Sequence, residues 1–114
     1  MTRPLLTGLY QNAFEKEGLK VEIAHDGKAG LAMANKTKPD AILLDLLMPG
    51  MSGYEVLEAL RKNEETKGIK VIVLTVVKEK SAQEKAKKLG ATDYLIKSEL
   101  ELPQIVERVV PHLS

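Results

Sequence analysis

The chain has 114 residues, 44% of them hydrophobic and 29% charged, the mixture of one compact globular domain with room for a single core. Its 17 basic and 16 acidic residues leave a formal charge of +1, too little to draw the whole chain onto nucleic acid or an anionic membrane, so partners must be argued locally. Without cysteine, disulfides and thiolate metal sites are excluded; the longest apolar runs are too short to span a bilayer, and "MTRPLLTGLY" lacks the layout of a signal peptide, which makes the cytoplasm the expected compartment.

In "PLLTGLYQNAFEKEGLK" the residues Leu5, Leu6, Leu9, Ala13 and Phe14 form one stripe at helical spacing, with Pro4 suited to a first turn and Gly18 to an αL cap. This predicts a helix. Val21 to Ala24 reads as a short strand closing at the turn former Asp26-Gly27, and "KAGLAMANKTK" as a weaker second helix ending before Pro39. "DAILLD" is apolar at successive positions, which predicts a strand buried on both faces, as in a parallel sheet covered by helices. "SGYEVLEALRKNEETKG" returns to helical spacing through Val56, Leu57 and Leu60. "KVIVLT" is a second fully apolar strand, "SAQEKAKKLG" a fourth helix with Ala82 and Ala86 inward, and "DYLIK" a last short strand. "LPQIVERVV" is a fifth helix expected to end near Val110, because Pro111 disfavours the helical conformation in the residue before it. Alternating helices and buried strands specify an α/β doubly wound sheet in one domain spanning 1–114, without internal repeat or linker.

In such a sheet, ligands gather at the carboxyl ends of the strands. Asp45 closes "AILLD", Thr75 closes "KVIVLT" and Lys97 closes "DYLIK". Singly, Asp45 or Thr75 reads equally well as the cap of the following turn, and Lys97 as a solvated strand end. Together they set a carboxylate, a hydroxyl and an ammonium on one edge, the groups that phosphoryl transfer to a carboxylate needs. Asp45 would be the nucleophile, and Lys97 and Thr75 would bind phosphoryl oxygens as charge develops.

With "LLDLLMPGMSGYEVLEALR", "VIVLT" and "GATDYLIKS" in this order, the chain resembles the receiver domains of bacterial response regulators, CheY-like proteins of flavodoxin-like topology with three α/β/α layers. The resemblance implies that Asp45 is the phosphoacceptor, that Thr75 couples phosphorylation to loop movement and that Tyr94 is the aromatic switch. It implies a sensor histidine kinase or phosphotransfer protein as donor, and a downstream protein docking on the fourth helix, last strand and fifth helix. Mg²⁺ is the cofactor it implies.

The family pattern is not complete. Receiver domains begin with an apolar strand ending in an acidic pair that helps the phosphoacceptor hold Mg²⁺; here Met1 and Thr2 fall at the acidic positions, so the domain reads as N-terminally truncated, with four strands expected. Asp45 and the Leu47 carbonyl are then the metal ligands left, and Mg²⁺ binding and phosphorylation should be weak. To offset the lost strand, either "VEIA" closes directly onto "AILLD", or a second chain supplies surface or a strand, giving a homodimer or an exchanged oligomer. Self-association is the expectation, driven by open inner strand edges and by the stripe of Leu5, Leu9, Ala13 and Phe14. Val76 stands where the family has a smaller residue and would narrow access to Asp45. Ser98 stands where the family has proline after a cis bond, so a trans bond and a displaced Lys97 are expected.

The leading reading is a stand-alone receiver domain with weakened chemistry, and the alternative is a pseudo-receiver that only binds protein. A phosphatase of the haloacid-dehalogenase type would need a second aspartate two residues after the first, where Leu47 stands. His25 and Asp26 read as part of a turn rather than a metal pair, His112 as a solvated residue of the tail, and "KEKSAQEKAKK" as an exposed helix face.

Overall fold

The computed structural model describes residues 13–18, 21–24, 26–47 and 50–113. Among these residues four strands, β1 (Val21–Ala24), β2 (Ala41–Leu44), β3 (Lys70–Thr75) and β4 (Asp93–Ile96), form one sheet in the order β1-β2-β3-β4. All three pairings are parallel, with Val21 opposite Ala41, Leu44 opposite Val73 and Thr75 opposite Ile96. Helices α1 (Gly27–Thr37), α2 (Gly53–Lys62), α3 (Lys80–Lys88) and α4 (Leu102–Leu113) follow the strands in turn. Among the described residues no helix is long and apolar enough to cross a membrane.

The apolar runs of β2 and β3 are buried on both sides because alternate residues serve opposite layers. Ile42, Leu44 and Val71 pack against Ala34 of α1 and Val56, Leu57 and Leu60 of α2, while Leu46 and Val73 meet Ala82 and Ala86 of α3. Ala41, Leu43, Ile72, Leu74 and Leu95 face the other way, onto Phe14 and onto Ile105 and Val109 of α4. The result is three layers, α/β/α. Each buried Leu, Ile, Val or Phe contributes roughly 1.5–3 kcal/mol of transfer free energy, so both layers are needed to offset chain entropy.

Of the two ways to complete the sheet, the first holds: the "VEIA" strand pairs directly with "AILL" within the chain. Phe14, 0% exposed, finds cover against Leu43 and its neighbours. The open inner edge and the exposed Phe14 on which self-association was argued are therefore not features of this fold. Leu5, Leu9 and the proposed start of the first helix lie outside the described residues, as do Met1, Thr2 and His25.

Several element ends differ from the sequence reading. Helix α2 stops at Lys62 rather than continuing to Gly68, because the Asn63 side chain accepts from the Glu65 N–H at 2.9 Å and offers the backbone a local alternative. Thr66 then folds inward, fully buried, and donates to the Leu60 carbonyl at 2.8 Å. Asp26 is more than a turn residue: it caps α1 by accepting from the Ala29 N–H at 3.0 Å. Helix α4 runs through Pro111 to Leu113, and His112 is not a free tail residue, since its Nε2 lies 2.9 Å from Asp93 Oδ2. A proline one turn from a helix end forfeits a single backbone hydrogen bond, and the Asp93 contact, shared with Arg108 at 3.4 Å, holds the last turn on β4.

Candidate functional site

Parallel strands bring the residues after β2, β3 and β4 to one edge. Asp45 is the first residue beyond β2, Thr75 is the last of β3, and Lys97 follows β4 as the first residue of a 3₁₀ turn, Lys97–Glu99. Of the three, the structure joins Asp45 and Lys97: Lys97 Nζ lies 3.1 Å from Asp45 Oδ2. The other carboxylate oxygen, Oδ1, accepts from the Leu47 N–H at 3.0 Å. With the two side chains 26% and 39% exposed, this is a partly hydrated pair, worth little as a tie, so the ammonium is free to follow an incoming anion. The peptide bond between Lys97 and Ser98 is trans, as expected, but Lys97 is not displaced from the carboxylate, because the 3₁₀ turn aims its long stem back across the edge.

Thr75 is completely buried, and its hydroxyl is turned to its own loop, accepting from the Val77 N–H at 3.4 Å. It does not bond to Asp45 or Lys97. The neighbouring Val76 is 52% exposed and Leu47 63%, so both apolar side chains stand at the surface of this edge. Tyr94 lies half-buried on β4 and donates from its hydroxyl to the Val77 carbonyl at 2.8 Å. Val77, which the sequence reading passed over, is thus the link between Thr75 and Tyr94: its N–H serves one and its carbonyl the other. Burial raises the Tyr94 phenol above the ordinary tyrosine range, and Tyr54, Glu79 and Asp45 push it the same way. Tyr54, on the first turn of α2, carries the Lys85 ammonium of α3 over its ring at 4.3 Å.

The turn that carries Asp45 rests on the start of α2. Ser52 caps that helix in a reciprocal capping box with Glu55, and the Gly53 N–H donates to the Leu46 carbonyl at 3.1 Å. Gly53 was the second residue missed from sequence; a glycine just inside a capped helix start, eight places after a strand-end aspartate, was the available signal.

The donor set for Mg²⁺ is thin. Asp45 offers one carboxylate and Leu47, two residues on, one backbone carbonyl, whereas Mg²⁺ demands an octahedral shell of oxygens. Among the described residues no group of three or more His, Asp or Glu could hold a metal ion. These residues do not by themselves fit the ion.

Comparison with known proteins shows the family and the fold. The sequence model of the response regulator receiver domain matches residues 2–110. The chain is 40% identical over 83 residues to Protein PilH of Pseudomonas aeruginosa, covering 73% of this chain and 69% of that one. It is 34% identical over 106 residues to the DNA-binding dual master transcriptional regulator RpaA of Synechocystis, covering 93% of this chain but only 44% of the regulator. The fold superposes on that of the Vibrio cholerae chemotaxis protein CheY4 with a TM-score of 0.82 at 26% identity, covering 97% of this chain and 91% of the other.

Proposed function

Since the chain belongs to the response regulator receiver domain family, we propose that it takes a phosphoryl group on Asp45 and so relays a two-component signal. Receiver domains work with histidine kinases or phosphotransfer proteins on one side and downstream partners on the other. Here the donor would approach the edge that carries Asp45, and the downstream protein would read α3, β4 and α4. The chain acts as a phosphoacceptor, altered once per event, and not as a turnover catalyst.

The observation that supports this reading best is the Asp45–Lys97 pair at 3.1 Å on the carboxyl edge of the sheet. In the step proposed, an Asp45 carboxylate oxygen attacks phosphorus, a new P–O bond forms, and the bond to the donor breaks with its electron pair leaving on the donor. Lys97 turns from the carboxylate to the equatorial oxygens as they gain charge. The strand and the Leu47 N–H hold the nucleophile in one pose, which removes orientational entropy from the barrier. Receiver domains bind Mg²⁺ at this site, but the described donor set gives no basis for routing a step through it.

Incubation with acetyl phosphate and Mg²⁺, followed by intact mass measurement, tests the assignment. A phosphoryl adduct should form, Asp45→Asn should abolish it, and Lys97→Met should slow it on the order of 100-fold. An adduct that persists in Asp45→Asn would place the phosphoryl group elsewhere. No adduct in the wild type would favour the second reading, a protein-binding pseudo-receiver, for which the thin donor set is the supporting observation.

A further inference from the structure

Gly53 is where backbone packs directly on backbone beside the site. A Cβ built there would lie 2.6 Å from Leu46 Cα and 3.0 Å from the Asp45 carbonyl carbon, and closer still to the Asp45 carbonyl oxygen. These obstacles are main chain, so no side chain can rotate away. We infer that Gly53 is a positioning residue for Asp45: its bare Cα lets α2 seat against the turn at 45–47, and that seat aims the carboxylate. The inference rests on the assignment of Asp45 as the acceptor.

Three elements meet here, and two are fixed. Strand β2 is held on both sides, with Leu44 between Ala24 and Val73 in register. Helix α2 is held by its capping box and by Val56, Leu57 and Leu60 in the core. Between them the turn at 45–47 is tied by one buried side chain, Leu46 on Val73, Ala82 and Ala86, and by two backbone bonds, the Gly53 N–H on the Leu46 carbonyl at 3.1 Å and the Leu47 N–H on Asp45 Oδ1 at 3.0 Å, fewer ties among the described residues than either neighbour has. An added methyl group therefore moves the turn, by a displacement on the order of 1 Å to restore ordinary contact. A shift of that size lengthens the Leu47 bond to Oδ1 and swings Oδ2 away from Lys97. Misplacement by about 1 Å is enough to cost on the order of 100-fold in rate. Helix propensity does not oppose the change, since alanine is the better helix former, so the cost lies in the main-chain contact alone.

The test is Gly53→Ala in the 114-residue chain, with Gly90→Ala as the comparison. Gly90 has φ +104 and lies against the Arg61 side chain at the opposite edge of the sheet, so its substitution strains the fold without touching the Asp45 turn. Two readouts are taken: the initial rate of acetyl phosphate labelling, and the Leu47 amide by NMR, as chemical shift and hydrogen exchange. Positioning by Gly53 predicts labelling reduced on the order of 100-fold, with a shifted and faster-exchanging Leu47 amide in Gly53→Ala, and neither change in Gly90→Ala. Wild-type labelling and an unmoved Leu47 amide in a folded Gly53→Ala overturn it, and so does equal slowing in Gly90→Ala. Should Gly53→Ala not fold, Ser52→Ala/Glu55→Ala replaces it: removing the capping box loosens the same seat, and labelling should fall several-fold with faster Leu47 exchange, while no change in either refutes the inference. If the wild type itself takes no phosphoryl group, the functional assignment has failed, and the Leu47 amide still decides whether Gly53 aims the Asp45 side chain.

Discussion

Arg61, in the last turn of α2, ties three backbone segments together at the amino ends of the strands. Its guanidinium donates to the Gly90 carbonyl from Nε at 3.1 Å and Nη2 at 2.9 Å, and from Nη1 to the carbonyls of Ile69 at 2.7 Å and Lys67 at 3.0 Å. Burial lowers its pKa, the direction expected of a cation drawn out of water and held by carbonyls instead of a counter-ion. Arg61→Ala removes all of these bonds. The Lys67 carbonyl is exposed and regains water, whereas the contacts to Gly90 and Ile69 are part-buried. Hydrogen bonds to charged groups contribute about 1.5–3 kcal/mol each, and partial rehydration of these two carbonyls reduces the loss to about 2–4 kcal/mol. For a domain of this size that is a fall in Tm of about 10–20 °C. Urea unfolding followed by circular dichroism measures it, with the slope m unchanged and the midpoint lower. Arg61→Lys should recover less than half, since one ammonium cannot reproduce the fork that spans both carbonyls. Because the tie lies at the edge opposite Asp45, labelling by acetyl phosphate below the new Tm should be unaltered. A loss below about 0.5 kcal/mol in Arg61→Ala would show that water replaces the guanidinium at every carbonyl and would refute the reasoning.

Tyr94 gives a pH dependence. The folded state raises its pKa and so favours the neutral phenol; the resulting stability is fully present below the unfolded-state value near 10 and is lost as pH rises through the folded value. Tyr94→Phe should lack this component, so the difference in unfolding midpoint between wild type and variant should shrink from about pH 10 upward, and a difference independent of pH would contradict it. Titration calorimetry should show weak Mg²⁺ binding, because Asp45 and the Leu47 carbonyl are the ligands at hand; saturation at micromolar Mg²⁺ would require acidic ligands beyond the described residues.

The β strands, and the standing of three polar residues at their ends, were legible for a simple reason. Runs such as "AILL" and "VIVL" have no polar face, and only a sheet covered on both sides can use them, so a polar residue closing the run must stand at the edge. Asp45, Thr75 and Lys97 were placed at the edge that way. The pairing of β1 with β2 was narrowed to alternatives but not decided, because a strand of four residues carries no register signal of its own. What stayed hidden depended on contacts distant in sequence or on competition between local bonds. Asn63 ended α2 through a side-chain bond that helical periodicity does not register. Asp93 drew His112 onto β4 across a separation of 19 residues and so carried α4 past Pro111. Val77 was apolar and unremarked because its part is played by its backbone, which bonds Thr75 and Tyr94 at once.

The layer built by Phe14, Ile105 and Val109 has a consequence for biosynthesis. Phe14 comes from the beginning of the chain and Val109 from its last helix, yet both close over the same side of Leu43 and Ile72. A nascent chain still lacking α4 can assemble α1, α2 and α3 on one face of the sheet, but the opposite face of β2, β3 and β4 then lacks the cover that Ile105 and Val109 give it. That face is fully covered only after residues 102–113 have cleared the ribosomal tunnel, so its packing is completed after synthesis of α4. Until then the exposed side of Leu43, Ile72, Leu74 and Leu95 is the surface a ribosome-associated chaperone would meet.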